Sequence, residues 1–299
     1  MRSTVSNWRG QRYLSPRQAA IIAAVSLLAV FLILSSLGVE NAASNFDLRL
    51  LFTTRSKLGK NPNWDPKLKV FAYDDLAVSL LQKSEPPAGI LAETLRAIKA
   101  QKPKAILIDK MFSYRLEGDV EKLKAAIGEV PPIYTSASFS DSAIPHRNPI
   151  SNEVLINQSS GWRVSEADWI PNATFAYGAN ATYGSAFTKV GHLNLAKAER
   201  IQPVVRVGEA LLPHWALRWW DQAELNPSGI TSSWGQIPVT GNGTTLVNLV
   251  PLEVFGKKTR SIAAVFSRIQ KNAPIDEIEE GDVVALVMGL YSGKETYIR

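Results

Sequence analysis

The chain has 299 residues, 45% of them hydrophobic, with 33 Lys and Arg against 27 Asp and Glu, three His and no Cys. This apolar content excludes a wholly disordered chain or a coiled-coil rod and is enough for one large domain or two small ones. The lack of Cys excludes a disulfide scaffold, Cys-ligated zinc, iron–sulfur clusters and thiol catalysis.

The first 18 residues carry Arg2, Arg9, Arg12 and Arg17 and no acid. Without these four, 29 basic residues stand against 27 acidic ones, so the net charge of +6 shrinks to +2 over the rest of the chain. No basic face dense enough to displace many phosphate counterions is evident, and nucleic-acid binding is not expected. Gln18 to Val39 then runs without a charge. As a helix, Ala19–Val39 would span about 31 Å, close to the roughly 30 Å hydrocarbon core of a bilayer. A buried soluble helix is usually shorter and interrupted by charge, and the apolar region of a cleaved signal peptide runs about 7–15 residues. The pattern therefore predicts an uncleaved signal-anchor helix in the lipid bilayer.

Arginines before the span, and Glu40 and Asp47 ahead of Arg49 after it, orient the chain by the positive-inside rule. Residues 1–18 become a cytoplasmic tail, 19–39 the transmembrane anchor and 40–299 an external domain. Ala19 with Ala23, and Ala20 with Ala24, give small-xxx-small spacings on which two anchors could pair as a homodimer. The last apolar run, Val283–Leu290, is too short to cross again.

In the external part, Phe46–Leu51 reads as a strand or short helix and Lys60–Pro66 as a loop. Leu68–Tyr73 is a β-type run ending in Asp74-Asp75. Pro86-Pro87 opens a helix with Ile90, Leu91, Leu95 and Ile98 on one face, closed by Lys102-Pro103. Ala105–Ile108 is a second strand, followed at once by Asp109. Strand, helix and strand at this spacing predict a βαβ unit with parallel neighbouring strands. A helix around Asp119–Ile127 leads to a third strand, Ile133–Ser136. Ser138–Tyr183 reads as loops and short strands.

Sequons at Asn157, Asn172, Asn180 and Asn242 would matter in a eukaryotic secreted protein. Such a protein of this size usually carries disulfides, so a Cys-free external domain fits a bacterial envelope better. Val190–Leu195, Val204–Val207 and Thr245–Val250 read as strands, and Leu211–Trp220 as an aromatic-rich helix. Ile262, Val265, Phe266 and Ile269 follow helical spacing. Val283–Met288 reads as a buried parallel strand. The expected fold is α/β, a mostly parallel sheet flanked by helices and preceded by one N-terminal transmembrane helix.

Asp74, Asp75 and Asp109 sit at strand ends, where open α/β sheets bind ligands and where carboxylates can hold a polar group or a cation. Strand-end Asp also caps the following helix or turn, the more common role. No G-x-S-x-G, P-loop or H-E-x-x-H turns the cluster into a catalytic site. His146, His192 and His214 lack ligand spacing, so no metal centre is expected. Gly191-His192-Leu193-Asn194 is a turn that could hydrogen-bond a ligand or satisfy local backbone. Trp215, Trp219 and Trp220, with Trp162 and Trp169 upstream, are candidates for core packing or a contact surface.

Taken in order, these segments resemble the CHASE2 family of extracytoplasmic sensory domains over nearly the whole external region. Phe46-Asp47-Leu48-Arg49 is similar to its aromatic-Asp-Leu-Arg opening. Val70-Phe71-Ala72-Tyr73-Asp74-Asp75 resembles its first strand with paired acids. Ala105 to Phe112 resembles its second strand. Val190-Gly191-His192-Leu193-Asn194 with Arg200 and Pro203, Leu212-Pro213-His214-Trp215-Ala216-Leu217, and Glu280-Gly281-Asp282-Val283-Val284 to Met288-Gly289 resemble later motifs in the same order. Two family elements are altered. The stretch before the first long helix is Pro86-Pro87-Ala88-Gly89, without its Trp and Arg, and an Asp-x-Asp-Gly turn is replaced by Ala196-Lys197-Ala198-Glu199.

The resemblance implies the signal-sensing module of a bacterial inner-membrane receptor. Such a module binds a periplasmic ligand or protein partner and relays binding through transmembrane helices to a kinase or cyclase output not present in this chain. It implies no catalysis by the chain itself and no cofactor. The ligand candidates are Asp74, Asp75, Asp109, His192 and Asn194. The alternative is a membrane-anchored periplasmic assembly protein docking into a larger envelope complex, which the altered elements favour. A periplasmic hydrolase lacks a visible nucleophile–base pair.

Overall fold

A computed structural model describes residues 54–290 except 56, 61, 159–160, 187–188, 198–199 and 247–251. The expected anchor at 19–39, the segment 46–51, and Val247–Val250 of the expected strand lie outside this set. Among the described residues, no helix is long and apolar enough to cross a membrane. The chain divides into a unit up to Lys60 and a unit from residue 61 on. In the first, the Leu58 and Lys60 amides donate to the carbonyls of Thr54 and Arg55, forming a helical turn.

The second unit opens on β1 (Leu68–Asp74), buried at its centre. The extended Asp74 accepts a hydrogen bond from the Ala77 amide and so caps α1 (Asp75–Leu81). In α2 (Ala88–Lys99) the predicted face forms, with Leu91, Leu95 and Ile98 buried. Next come β2 (Ala105–Asp109), α3 (Val120–Gly128), which Asp119 caps through the Lys122 amide, and β3 (Ile133–Ser140). The segment read as loops and short strands does hold short strands, β4 (Trp162–Val164), β5 (Asn172–Ala173) and β6 (Phe175–Tyr177), and also an unforeseen helix, α4 (Asn152–Gln158). The strand expected over Val190–Leu195 is split. β7 (Val190–His192) joins β3, and β8 (Leu195–Lys197) turns away to pair with β9 (Arg200–Ile201).

The helix expected over Leu211–Trp220 does not form. β10 (Val204–Val207) turns at Gly208, which has φ +60°, into the antiparallel β11 (Ala210–Pro213). Leu211 packs in one core and Leu212 in another. Burial on both sides of consecutive residues is a strand property, and it overrides the helical spacing of the tryptophans. Only Trp215–Leu217 is helical, as a single 3₁₀ turn. Hairpin strands β12 (Ala223–Asn226), β13 (Gly229–Ser232) and β14 (Gly235–Pro238) follow, then β15 (Thr245–Leu246) paired to β9. The chain returns through α5 (Leu252–Lys258), β16 (Thr259–Ser261) and α6 (Ile262–Gln270) to β17 (Val283–Leu290).

The principal sheet has the order β16-β1-β17-β2-β3-β7, parallel at every junction, with β6 antiparallel to the far part of β3. The βαβ reading is therefore correct in direction but not in adjacency. β17 enters between β1 and β2, and its unbroken apolar run suits a strand covered on both faces. On one face, α1, α2, α3 and α6 share a core with Ile106, Ile108, Val284 and Leu286. The other face buries Val70, Leu107, Tyr134 and Ala285 against Trp64, Trp215, Trp219 and Phe255. Three further sheets are small, each with antiparallel pairs. The protein is thus mixed α/β, with parallel pairing concentrated in the principal sheet.

Candidate functional site

The three carboxylates from the sequence are not brought together. Leu290 lies opposite Asp74 and Val287 opposite Asp109, with β17 between them. Two strand spacings alone separate them by about 10 Å, and Asp109 is level with Ala72 rather than Asp74, which adds to the distance. Asp74 Oδ1 accepts from the Ala77 amide at 3.1 Å and from Ser261 Oγ at 2.6 Å. Ser261 in turn caps α6 through the Ala263 amide, so the two helix caps hold each other. Asp75 is exposed in the first turn of α1, where the helix dipole favours an acid. Asp109 has no hydrogen-bond or ion-pair partner among the described residues, and burial pushes its carboxyl above the usual range. Its neighbour Lys110 is committed to Glu85 at 2.7 Å. No group of three or more His, Asp or Glu that could hold a metal occurs among the described residues.

The crossovers also differ from a ligand-binding crevice. β1 to β2 and β16 to β17 each skip one strand in the same direction, and β2 to β3 continues that way. No two neighbouring strands in this set send their connections apart, which is what opens a cleft in doubly wound sheets.

His192 and Asn194 lie elsewhere, at the end of β7, and the motif around them has a local logic. Gly191 faces the backbone of Pro213–Trp215, and a Cβ there would stand 2.6 Å from Trp215 Cα and 2.8 Å from its amide nitrogen. Only glycine permits that approach. The Asn194 side chain copies a strand residue. Its Oδ1 accepts from the Phe139 amide and its Nδ2 donates to the Phe139 carbonyl, both at 3.1 Å. It thereby extends the β3–β7 pairing past His192.

Asn194→Ala removes both bonds and should destabilise the domain by about 1–2 kcal/mol, or a Tm drop of roughly 3–6 °C. A melt of the ligand-free chain checks this, because a purely ligand-contacting Asn194 would leave that Tm unchanged.

His192 itself is fully buried. Its ring meets Phe139 edge-to-face at 5.1 Å and His214 edge-to-face at 5.2 Å. His214 Nδ1 accepts from the Ala216 amide at 3.3 Å, capping the 3₁₀ turn, so the proton of neutral His214 belongs on Nε2. The two residues also form a parallel backbone bridge. Among the described residues neither nitrogen of His192 makes a hydrogen bond of good geometry, although the Gln202 backbone lies close enough to favour its proton. Burial, and then the neighbouring His214, hold His192 well below the ordinary histidine value, against a smaller opposing effect of the Gln202 backbone. Burial lowers His214 to about 4. Both rings are neutral at pH 7.

The surroundings are cationic and polar. Arg218 is buried, its Nε donates to the Val190 carbonyl at 3.1 Å, and its guanidinium lies 6.0 Å from the Tyr134 ring. The hydroxyls of Thr135 and Ser136 and the indole nitrogen of Trp215 are further buried polar atoms at this corner without partners among the described residues. Such groups are rare in cores and concentrate where structure serves something other than packing. Two neutral imidazoles can accept protons. An edge-to-face pair does not converge its in-plane lone pairs on one ion.

The pairing of His192 with His214 was not legible from spacing, because the two are distant in sequence. The one usable signal was that each lies at the end of an apolar β-type run. Of the tryptophans, Trp162, Trp169 and Trp220 fill the core of the small-sheet region, with Trp162 donating to the Trp220 carbonyl and Trp169 to that of Asn226. Trp219 meets the half-exposed Trp234 at 4.8 Å, with Lys104 over the Trp234 ring at 3.6 Å.

The chain matches no protein-family model, no curated protein and no solved structure.

Proposed function

We propose that the chain is the extracytoplasmic sensory module, of CHASE2 type, of a bacterial inner-membrane receptor. In this reading Ala19–Val39 anchors it, residues from 40 on lie in the periplasm, and it has no catalytic activity of its own. A ligand or partner that binds one arrangement of the outer domain better than another shifts the balance between them, and the membrane helices carry the shift to a cytoplasmic output.

The observation that carries this reading is the pairing of β1 with β17. Among the described residues the first strand after the anchor segment, β1, lies against β17, with Leu68 opposite Val283 and Tyr73 opposite Met288. A rearrangement of the sheet centre moves both strands together.

Topology is the first test. Alkaline phosphatase fused after Arg299 folds only in an oxidising compartment and is expected to be active in a bacterial host, whereas green fluorescent protein at the same point stays dark. A dark phosphatase with a fluorescent partner fusion would overturn the reading.

A further inference from the structure

We propose that the contact between β7 and the His214–Leu217 turn is a proton-operated latch, closed when His192 and His214 are neutral and opened by acidification of the medium around the outer domain. The proposal rests on the sensory reading and names its signal as the proton.

The geometry carries it. His192 is enclosed between Phe139 and His214, and the turn reaches it only because Gly191 lets the Pro213–Trp215 backbone come close. The surrounding titratable and charged groups are His214 and Arg218 from the turn, Tyr134 from β3 and Lys189 just before β7. Asp221 acts on Tyr134 and Arg218. The core behind β7 adds apolar Leu155, Val205 and Leu212. Among the described residues no carboxylate makes a hydrogen bond or ion pair with either imidazole. An imidazolium formed in place would have no counter-ion and would meet a second histidine and a buried arginine. The way to relieve that charge is to part the two segments and hydrate the rings.

The sign follows from the depressed values. Neutral histidines support the closed state above their ordinary pKa, and this support is lost as pH falls toward the folded-state value. For His214 the window runs from 6.5 down to about 4. Complete titration through that window lowers the closed-to-open ratio by at most roughly 300-fold for this histidine alone, about tenfold per pH unit in its middle, and His192 adds to the fall. Opening breaks the bonds that join the turn to its neighbours, His214 N–H to the Pro203 carbonyl and Arg218 Nε to the Val190 carbonyl, and loosens those within it, Ala216 N–H to His214 Nδ1, Leu217 N–H to the His214 carbonyl and Arg218 N–H to the Trp215 carbonyl, while the ladders of the sheet centre are left intact.

Hydrogen exchange of the full chain in detergent, corrected for intrinsic rates, tests this between pH 7.5 and 5. The amides of Leu193, His214, Ala216 and Leu217 are expected to lose at least tenfold in protection, while Ile106 and Val284 keep theirs. The double variant His192→Phe/His214→Asn, in which Asn replaces the Nδ1 acceptor, should stay protected at pH 5. If it does not fold at pH 7.5, His214→Asn alone is expected to halve the logarithmic loss. Exposed His146→Gln should change nothing. Uniform loss across the domain, no loss at all, or an undiminished local loss in the variants overturns the latch. The two readings fail separately. A latch that opens in a chain with a cytoplasmic C-terminal reporter sinks the sensor reading only, and a silent latch in an external domain sinks the latch only.

Discussion

Gly191→Ala is expected to lower the domain's Tm by roughly 6–12 °C, the equivalent of about 3 kcal/mol in a domain of this size. The added Cβ meets only backbone, at 2.6 Å from Trp215 Cα, 2.8 Å from Trp215 N and 3.0 Å from the Pro213 carbonyl oxygen. No flexible side chain can swing aside, so the turn must retreat or β7 must bend. Overpacking of this kind typically costs about 1–3 kcal/mol and more where backbone moves. The retreat also separates His192 from His214. Differential scanning calorimetry at pH 7.5 measures the loss, and a Tm within 2 °C of wild type would mean that the close approach is not required. Gly89, around which a Cβ meets nothing within 4 Å, provides the contrast.

The second large effect concerns the strand that enters from the end of the chain. Val284→Pro should abolish the cooperative thermal transition or lower Tm by 10 °C or more. Val284 is fully buried, with Lys69 on one side and Ile106 on the other. Every amide of a central parallel strand serves one of its two ladders, and proline both removes the donor and crowds the neighbouring strand. We expect a destabilisation of about 3 kcal/mol or more, a large share of the about 5–15 kcal/mol that holds a typical domain. Limited proteolysis with the melt checks it. If β17 were an edge strand, proline would be tolerated and the profile would stay close to wild type.

What the sequence made legible followed how local each signal is. α2 announced itself through Pro86-Pro87 and the Leu91, Leu95, Ile98 spacing, and β17 through an unbroken apolar run. Where β17 goes was not legible. Adjacency in a sheet is a long-range property, and nothing near Leu68 or Ala105 records that residues 283–290 will separate them. The misread helix at Leu211–Trp220 has a different cause. Its tryptophans mimic helical spacing, while the pairing of Val204–Val207 with Ala210–Pro213 decides the backbone. At the candidate site, Asp74 bears the capping role that a strand-end Asp commonly takes, whereas the short helix it caps was not read from the sequence. The role of Asn194 as a surrogate strand residue was invisible, because it depends on Phe139 being opposite. The His192–His214 contact was hidden for the same reason.

The position of β17 also sets when the domain can finish folding. Leu68 pairs with Val283 and Asp74 with Leu290, so the centre of the principal sheet closes only after residues 283–290 have been made. Until then β1 and β2 have no strand between them, and both present unpaired edges. Long-range parallel pairing is slow, and open strand edges are prone to aggregate. A domain built this way keeps those edges open until β17 arrives. Its yield in the cell is therefore expected to depend on holding chaperones in the compartment where it folds, more than on the speed of synthesis.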